Sequence, residues 1–300
     1  MIESAMQSAI NIRPSREERI QSAEPTISIV MPCHNHGEYL GQAVESVLKQ
    51  TYQGFEVIIV DDGSSDEHTR RNLNNYDHPK IKLIQTPHQG LANARNTAIE
   101  AARGEYILPL DADDRIGKTY LEKALEILET RENVGIVYSE AEFFGEASGK
   151  WNLPPYRFPE ILLGNVIFCS AFFRKRDWVA VNGYNPNMIY GWEDYDFWLS
   201  LIELGSEVVR IPETLFFYRK RSNSMIRTMS RDHMLYSYAQ LFKNHPQLYA
   251  DNMANLLLSC VEQGAQLQRT IESSWSWRPT KPLRSANQMI RNIRDRLEGV

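Results

Sequence analysis

Apolar positions along this chain follow a regular strand and helix alternation that stops near residue 140. Ile27 to Met31 is a short, mostly apolar run ended by Pro32. Tyr39, Leu40, Ala43, Val44, Val47 and Leu48 then recur at the i, i+4, i+8 spacing of one helix face. Phe55 to Val60 predicts a second strand, Ile81 to Ile84 a third and Tyr106 to Leu110 a fourth, with a helix over Leu91 to Ala102. Strands that read as continuous apolar runs are buried on both faces, as in parallel sheets with right-handed crossovers. The expected fold is α/β: a mostly parallel, doubly wound (Rossmann-like) sheet flanked by helices, with ligands beyond the carboxyl ends of the strands. Pro32, Asp62 and Asp111 fall at such ends.

Val134 to Tyr138 reads as another strand, and residues 141–190 are rich in aromatics, Gly and Pro. Trp192 to Leu204 predicts a helix, Glu207 to Ile211 and Leu215 to Tyr218 two short strands, and helical spacing returns from about Ser230. Tyr249, Met253, Leu256, Leu257, Cys260 and Val261 form an apolar stripe expected to pack on the main body, with Gly264 expected to end or bend that helix. The tail from Trp275 to Val300 is Arg/Lys-rich, and Met289, Ile290, Ile293 and Leu297 share one helical face. Such a helix either docks on its own domain or a partner, or makes peripheral contact with a membrane surface. The expected organisation is a lead-in over 1–24, an α/β domain over 25–228 and a C-terminal helical extension over 229–300.

Charge and cysteine usage narrow the function classes. A net charge of -5 argues against nucleic acid as a partner, since such binders show a basic face. Cys33, Cys169 and Cys260 are widely separated and odd in number, which implies no disulfide framework and points to a reducing, cytoplasmic compartment. No apolar run is long enough to span a bilayer, and Met1 to Glu24 mixes Arg and Glu without the apolar core of a secretory signal.

The chemistry concentrates in two acidic stations. The strand Tyr106 to Leu110 ends in Asp111, Ala112, Asp113 and Asp114, and clustered carboxylates repel unless a cation sits between them. Oxygen ligands suit Mg2+ or Mn2+, especially beside a phosphate-bearing ligand. A solvated loop capping the next helix is the plainer alternative. Glu193 and Asp194 form the second station, at the start of the helix containing Tyr195, Phe197, Trp198 and Leu199. A helix N-terminus favours the carboxylate form and keeps it available as a base. Cys33, His34 and His36 lack a fourth neighbour for a tetrahedral zinc site.

Five motifs in order carry a family resemblance: Ser28 to Asn35, Val60 to Asp66, Gly90 to Asn96, Asp111 to Asp114, and Gly191 to Asp196. From Thr26 to about Ser224 the chain closely resembles the family 2 glycosyltransferases, inverting enzymes of the GT-A fold. The resemblance implies a nucleotide-sugar donor, with Pro32, His34 and Asn35 lining the base and ribose pocket and Asp62 accepting a hydrogen bond from the base. It implies that Arg95 supports the nucleotide end of the pocket, through Asp62 or the diphosphate. It makes Asp113 the direct ligand of Mn2+ or Mg2+, with Asp111 on ribose, sugar hydroxyls or metal-bound water. Asp114 is expected to cap the helix beginning near Gly117, and Asp61 to cap its own loop. By the same resemblance Asp194 is the base that deprotonates an acceptor hydroxyl, and Glu193 orients the acceptor or assists the base. Trp192 and the aromatics between Trp151 and Phe173 are candidates to stack on an acceptor sugar, with a place in the core as the alternative. Arg221 stands where the family often has a histidine; guanidinium cannot coordinate a metal but can bind a diphosphate through two hydrogen bonds. The resemblance implies as acceptor a glycan, a lipid-linked saccharide or another hydroxyl compound, and a place in cell-surface glycan or polysaccharide synthesis, in the cytoplasm or peripheral to the inner face of the membrane. The alternative is an inactive sugar-nucleotide-binding or scaffold protein. A phosphohydrolase with an aspartyl nucleophile is disfavoured by Arg115 after the acidic cluster, and a nucleotidyltransferase by the absence of a Gly-rich basic loop after the first strand.

Overall fold

The computed structural model describes residues 24–273 apart from 75 and 223. The lead-in and the basic tail therefore lie outside the described residues. Two compact units divide the chain, the first comprising residues 24–157 and 164–246 and the second residues 158–163 and 247–273 of the described span.

The first unit is built on a five-stranded sheet in the order β3-β2-β1-β4-β8. Its strands are β1 (Ile27–Cys33), β2 (Phe55–Asp62), β3 (Ile81–Thr86), β4 (Tyr106–Pro109) and β8 (Phe173–Arg174). The first four are parallel and β8 is antiparallel to β4. Every residue of β1, β2 and β4 is buried, as their unbroken apolar runs require. Pro32 does not end β1: pairing with β4 stops at Val30, so the missing N–H leaves that ladder intact. Helix Gly37–Leu48 buries Leu40, Ala43, Val44 and Val47, and helix Tyr120–Thr130 buries Tyr120, Leu121, Ala124, Leu125 and Leu128. Arg174, buried on β8, donates from Nη2 to the carbonyls of Leu128 (2.8 Å) and Val134 (3.2 Å) and so satisfies the end of the latter helix.

A second sheet orders as β5-β9-β6-β7, with β5 (Arg115–Ile116), β6 (Val134–Gly145), β7 (Gly149–Trp151) and β9 (Glu207–Lys220). The two short strands expected over 207–218 are one strand. Pro212 and Glu213 bulge out where Ile211 pairs with Ser139 and Thr214 with Glu140, so the alternation breaks but the ladder resumes. β5 pairs its Arg115 and Ile116 with Phe217 and Phe216 of β9, which ties the acidic loop 111–114 to the end of β9.

In the second unit, helix Pro246–Ser273 buries Tyr249 and Leu256, and Tyr249 donates its hydroxyl to the Leu162 carbonyl at 3.1 Å. Gly264 neither ends nor interrupts this helix. No helix among the described residues is long and apolar enough to cross a membrane.

Candidate active site

The carboxyl ends of β1, β2 and β4 open on a cavity of about 730 Å3. Pro32, His34, Asp62, Arg95, Asp111, Asp113, Trp192, Glu193, Asp194 and Arg221 all line it, so the two acidic stations share one chamber.

Arg95 joins them. Its guanidinium donates from Nη2 to Asp111 Oδ1 at 2.7 Å and from Nη1 to Glu193 Oε1. The side chain is 1% exposed, and a guanidinium is stable there only because its charge is matched on two sides. Burial works against the charge, but Asp111 and Glu193 more than offset it and hold Arg95 well above its ordinary pKa. Within the chain its partners are these two carboxylates and not Asp62. Helix Leu91–Glu100 buries Ala94, Arg95, Ala98 and Ile99, so the arginine sits on a face that is otherwise small and apolar.

Asp194 is presented by an uncommon backbone. Gly191 and Trp192 both have positive φ, 104° and 68°, immediately before helix Glu193–Glu203. A bulky residue with φ near 68° is strained and is retained only where surrounding packing imposes it. Here the indole meets Tyr195 and Tyr238 edge-on. The Asp194 carboxylate accepts the Tyr195 N–H at 2.7 Å. Burial first, then the neighbouring Glu193, pushes its pKa up to about 7, against the pull of Arg95.

In the acidic loop 111–114, Asp113 Oδ2 pairs with Arg221 Nη2 at 2.7 Å, and that nitrogen also donates to His36 Nε2 at 3.2 Å. Asp113 is raised by burial and by Asp111, with Arg221 opposing. Asp114 does not cap the following helix, which starts at Tyr120 after Thr119. It turns inward instead: Oδ1 accepts the Arg219 N–H at 2.8 Å and Oδ2 is buried with no partner among the described residues. Burial and then Asp113 hold this carboxyl well above its usual range. One ligand atom each from Asp111, Asp114 and Cys169 lie within 4.8 Å of one another.

At the opposite end, Asp62 is held by its own chain. Oδ1 accepts Thr86 Oγ1 (3.1 Å) and the Gln89 N–H (2.9 Å), Oδ2 accepts the Gly90 N–H (2.9 Å), and His88 Nδ1 donates to the Asp62 carbonyl at 3.1 Å with Oδ2 3.0 Å away. His34 donates from Nδ1 to the Asp62 carbonyl at 2.8 Å and stacks on His88 with ring centroids 4.2 Å apart. Asp61 caps its loop as expected, accepting the Ser64 N–H at 3.0 Å. Gly63 has φ +68, and a Cβ there would lie 2.6 Å from the His88 nitrogen, so this loop crosses the next one with no room for a side chain. Asn35 departs from the expected pocket contact. With φ 56°, it turns its Oδ1 to the N–H groups of Ser65 (2.8 Å) and Asp66 (3.1 Å), latching two loops together away from the cavity lining.

Other residues in and around the cavity lie outside the five motifs. Cys169 donates to Asp111 Oδ2 at 3.4 Å. Arg219 donates from Nε to the Asp113 carbonyl at 2.8 Å and lies over the Tyr39 and Phe144 rings. Trp151, Phe168, Phe216 and Tyr218 form an aromatic wall, with Phe168 stacked on Phe216 at 4.2 Å. Of the aromatics between 151 and 173, Phe172 and Phe173 are core.

Known proteins resemble this chain in sequence and in fold. Chondroitin synthase of Escherichia coli is 32% identical over 63% of this chain and 29% of its own length. The UDP-Glc:alpha-D-GlcNAc-diphosphoundecaprenol beta-1,3-glucosyltransferase WfgD of Escherichia coli is 33% identical over 59% of this chain and 70% of its own. The crystal structure of S. aureus TarS 1-349 in complex with UDP-GlcNAc superposes with a TM-score of 0.60 at 16% identity, covering 76% of this chain and 73% of that one, which places the fold in the GT-A class. The chain spans less than half the length of the first two curated relatives it matches, 29% and 42%. A family model described as Glycosyl transferase family 2 matches residues 28–188, more than half of the 300 residues, and the chain is accordingly a member of that glycosyltransferase family.

Proposed function

We propose that the cavity transfers a sugar from a nucleoside-diphosphate donor, a UDP-sugar, to a hydroxyl acceptor by a single inverting displacement. The observation that supports this reading is the shared chamber: Arg95 bridges Asp111 of the donor station to Glu193 of the acceptor station. The names of WfgD and of the TarS complex carry UDP-linked sugars, which favours the same donor class here.

Asp194 is the base in this scheme. It takes the acceptor proton as the oxygen attacks the anomeric carbon opposite the diphosphate, and a pKa near 7 suits proton transfer at neutral pH. Glu193 is held by Arg95 and orients the acceptor edge of the cavity rather than competing for the proton. Only one protein carboxylate acts chemically, whereas a retaining glycosidase also needs a carboxylate nucleophile. Trp192 and the wall of Trp151, Phe168 and Tyr218 offer apolar faces for the acceptor.

Pro32 and His34 border the nucleotide, and Asp62 holds loop 86–90 at that end through three hydrogen bonds to its carboxylate. A divalent cation fits the other end. The buried Oδ2 of Asp114, whose ligand atom lies within 4.8 Å of those of Asp111 and Cys169, has no hydrogen-bond partner among the described residues and is an oxygen open to such an ion. Asp113 and Asp111 would hold Mn2+ or Mg2+, which neutralises charge on the departing diphosphate. Arg221, anchored on Asp113, adds a fixed positive charge to the same region.

A donor panel tests this directly. Nucleoside diphosphate should be released from a UDP-sugar with Mn2+ present and not after chelation; equal rates with and without the cation would exclude the metal role.

A further inference from the structure

Helix Pro246–Ser273 carries a second surface that owes nothing to the transfer site. Its inward residues Tyr249 and Leu256 lie seven apart. Beside them, Met253, Leu257, Cys260, Gly264 and Leu267 recur at alternating steps of four and three, and Ile271 continues the series in the sequence. That spacing is the seam of a two-stranded coiled coil. Met253, Leu257 and Leu267 are 43, 60 and 62% exposed, and Cys260 is exposed too. All residues from Val261 to Gln268 are exposed, so the distal turns bury nothing against the described residues. Helices in water draw most of their stability from burying an apolar face, and this one leaves its face open.

The charge pattern identifies what covers it. Asp251, Glu262, Arg269 and Glu272 are the charged residues between Leu248 and Ser273, and all four occupy outer heptad positions. The positions flanking the seam hold Ala254, Leu256, Val261, Gln263, Gln268 and Thr270, which are uncharged. A neutral seam with neutral flanks is self-complementary: an identical copy meets it without like-charge repulsion. An anionic membrane surface fits poorly, because interfacial helices carry Lys and Arg on their polar face and this one carries three acids and one Arg. Gly264 fits the same occupant. A Cβ there would meet nothing of its own chain within 4 Å, so intrachain packing does not require glycine, whereas close approach of a second backbone favours it.

We infer that this helix pairs in parallel with the same helix of a second copy, through the seam from Met253 to Leu267, giving a homodimer. Parallel pairing puts the two Cys260 side chains in one layer. Sedimentation of the full chain at micromolar concentration should give the dimer mass, and Leu257→Glu with Leu267→Glu should halve it while leaving the thermal transition of the main unit in place. Mild oxidation should cross-link the wild type through a disulfide, the two thiols losing their hydrogens and electrons to an added oxidant such as diamide. Cys260→Ser should abolish that band. A wild-type monomer at tens of micromolar, a dimer indifferent to both glutamates, or a monomer that sediments with anionic vesicles would overturn the proposal. An intact dimer that never cross-links would overturn its parallel register.

Discussion

Asp194→Asn lowers sugar transfer by about 100-fold to 10,000-fold, the usual worth of a positioned general base. The amide keeps the volume of the carboxylate and an oxygen to accept the Tyr195 N–H now donated at 2.7 Å. Donor affinity, measured by calorimetry with UDP and Mn2+, should stay within a few-fold of wild type. The sign of the pH effect follows from the environment. Burial and Glu193 raise Asp194 to about 7, so the carboxylate form is scarce in acid and transfer rises with pH through that value. The rising limb should vanish in the variant. A raised acid also costs folding stability once it ionises, so the wild type loses stability as pH climbs from the ordinary carboxylate range through about 7. The neutral amide escapes that loss, and the variant should melt no lower than wild type at pH 8. A variant retaining a third of wild-type transfer would remove Asp194 from the role of base.

Arg95→Met is the second large effect, and it acts on fold and activity together. Methionine fills much of the same space but leaves Asp111 and Glu193 facing one another without a counter-charge. Removing one partner of a buried ion pair destabilises by about 3–5 kcal/mol. For a unit of this size that lowers Tm by roughly 6–20 °C. Transfer should also fall below the melting range, because Glu193 loses the contact that fixes it. Arg95→Lys should recover little: a single ammonium cannot reach both carboxylates with the planar fork that guanidinium provides. Differential scanning fluorimetry checks the first part, and a Tm within two degrees of wild type would mean that the bridge carries no load.

Much of this was readable in the sequence because burial leaves a simple imprint. β1, β2 and β4 are covered on both faces, so their apolar runs named the sheet. Asp113 and Asp194 were legible because motif order places both at the ends of elements that converge. What escaped detection depends on tertiary partners. Arg95 stands in the Gly90 to Asn96 motif, but its partners Asp111 and Glu193 come from distant segments that only the fold brings together. Asp114 carries the usual signature of a helix cap, and only its pairing with the Arg219 backbone reveals it as buried. Asn35 stands in a motif of the nucleotide pocket, yet its left-handed backbone turns the side chain onto the next loop. β9 was divided in two because Pro212 and Glu213 break its period, and a bulge is visible only when the partner strand is present.

Single displacement at one chamber is the central claim, and the configuration of the product tests it most directly. With an α-linked UDP-sugar, Mn2+ and water standing in for the acceptor, proton NMR can identify the anomer released before mutarotation scrambles it. The β anomer should appear first. An initial α product would require two successive displacements or front-face attack, and would contradict the assignment of Asp194 as the sole carboxylate acting on the incoming oxygen.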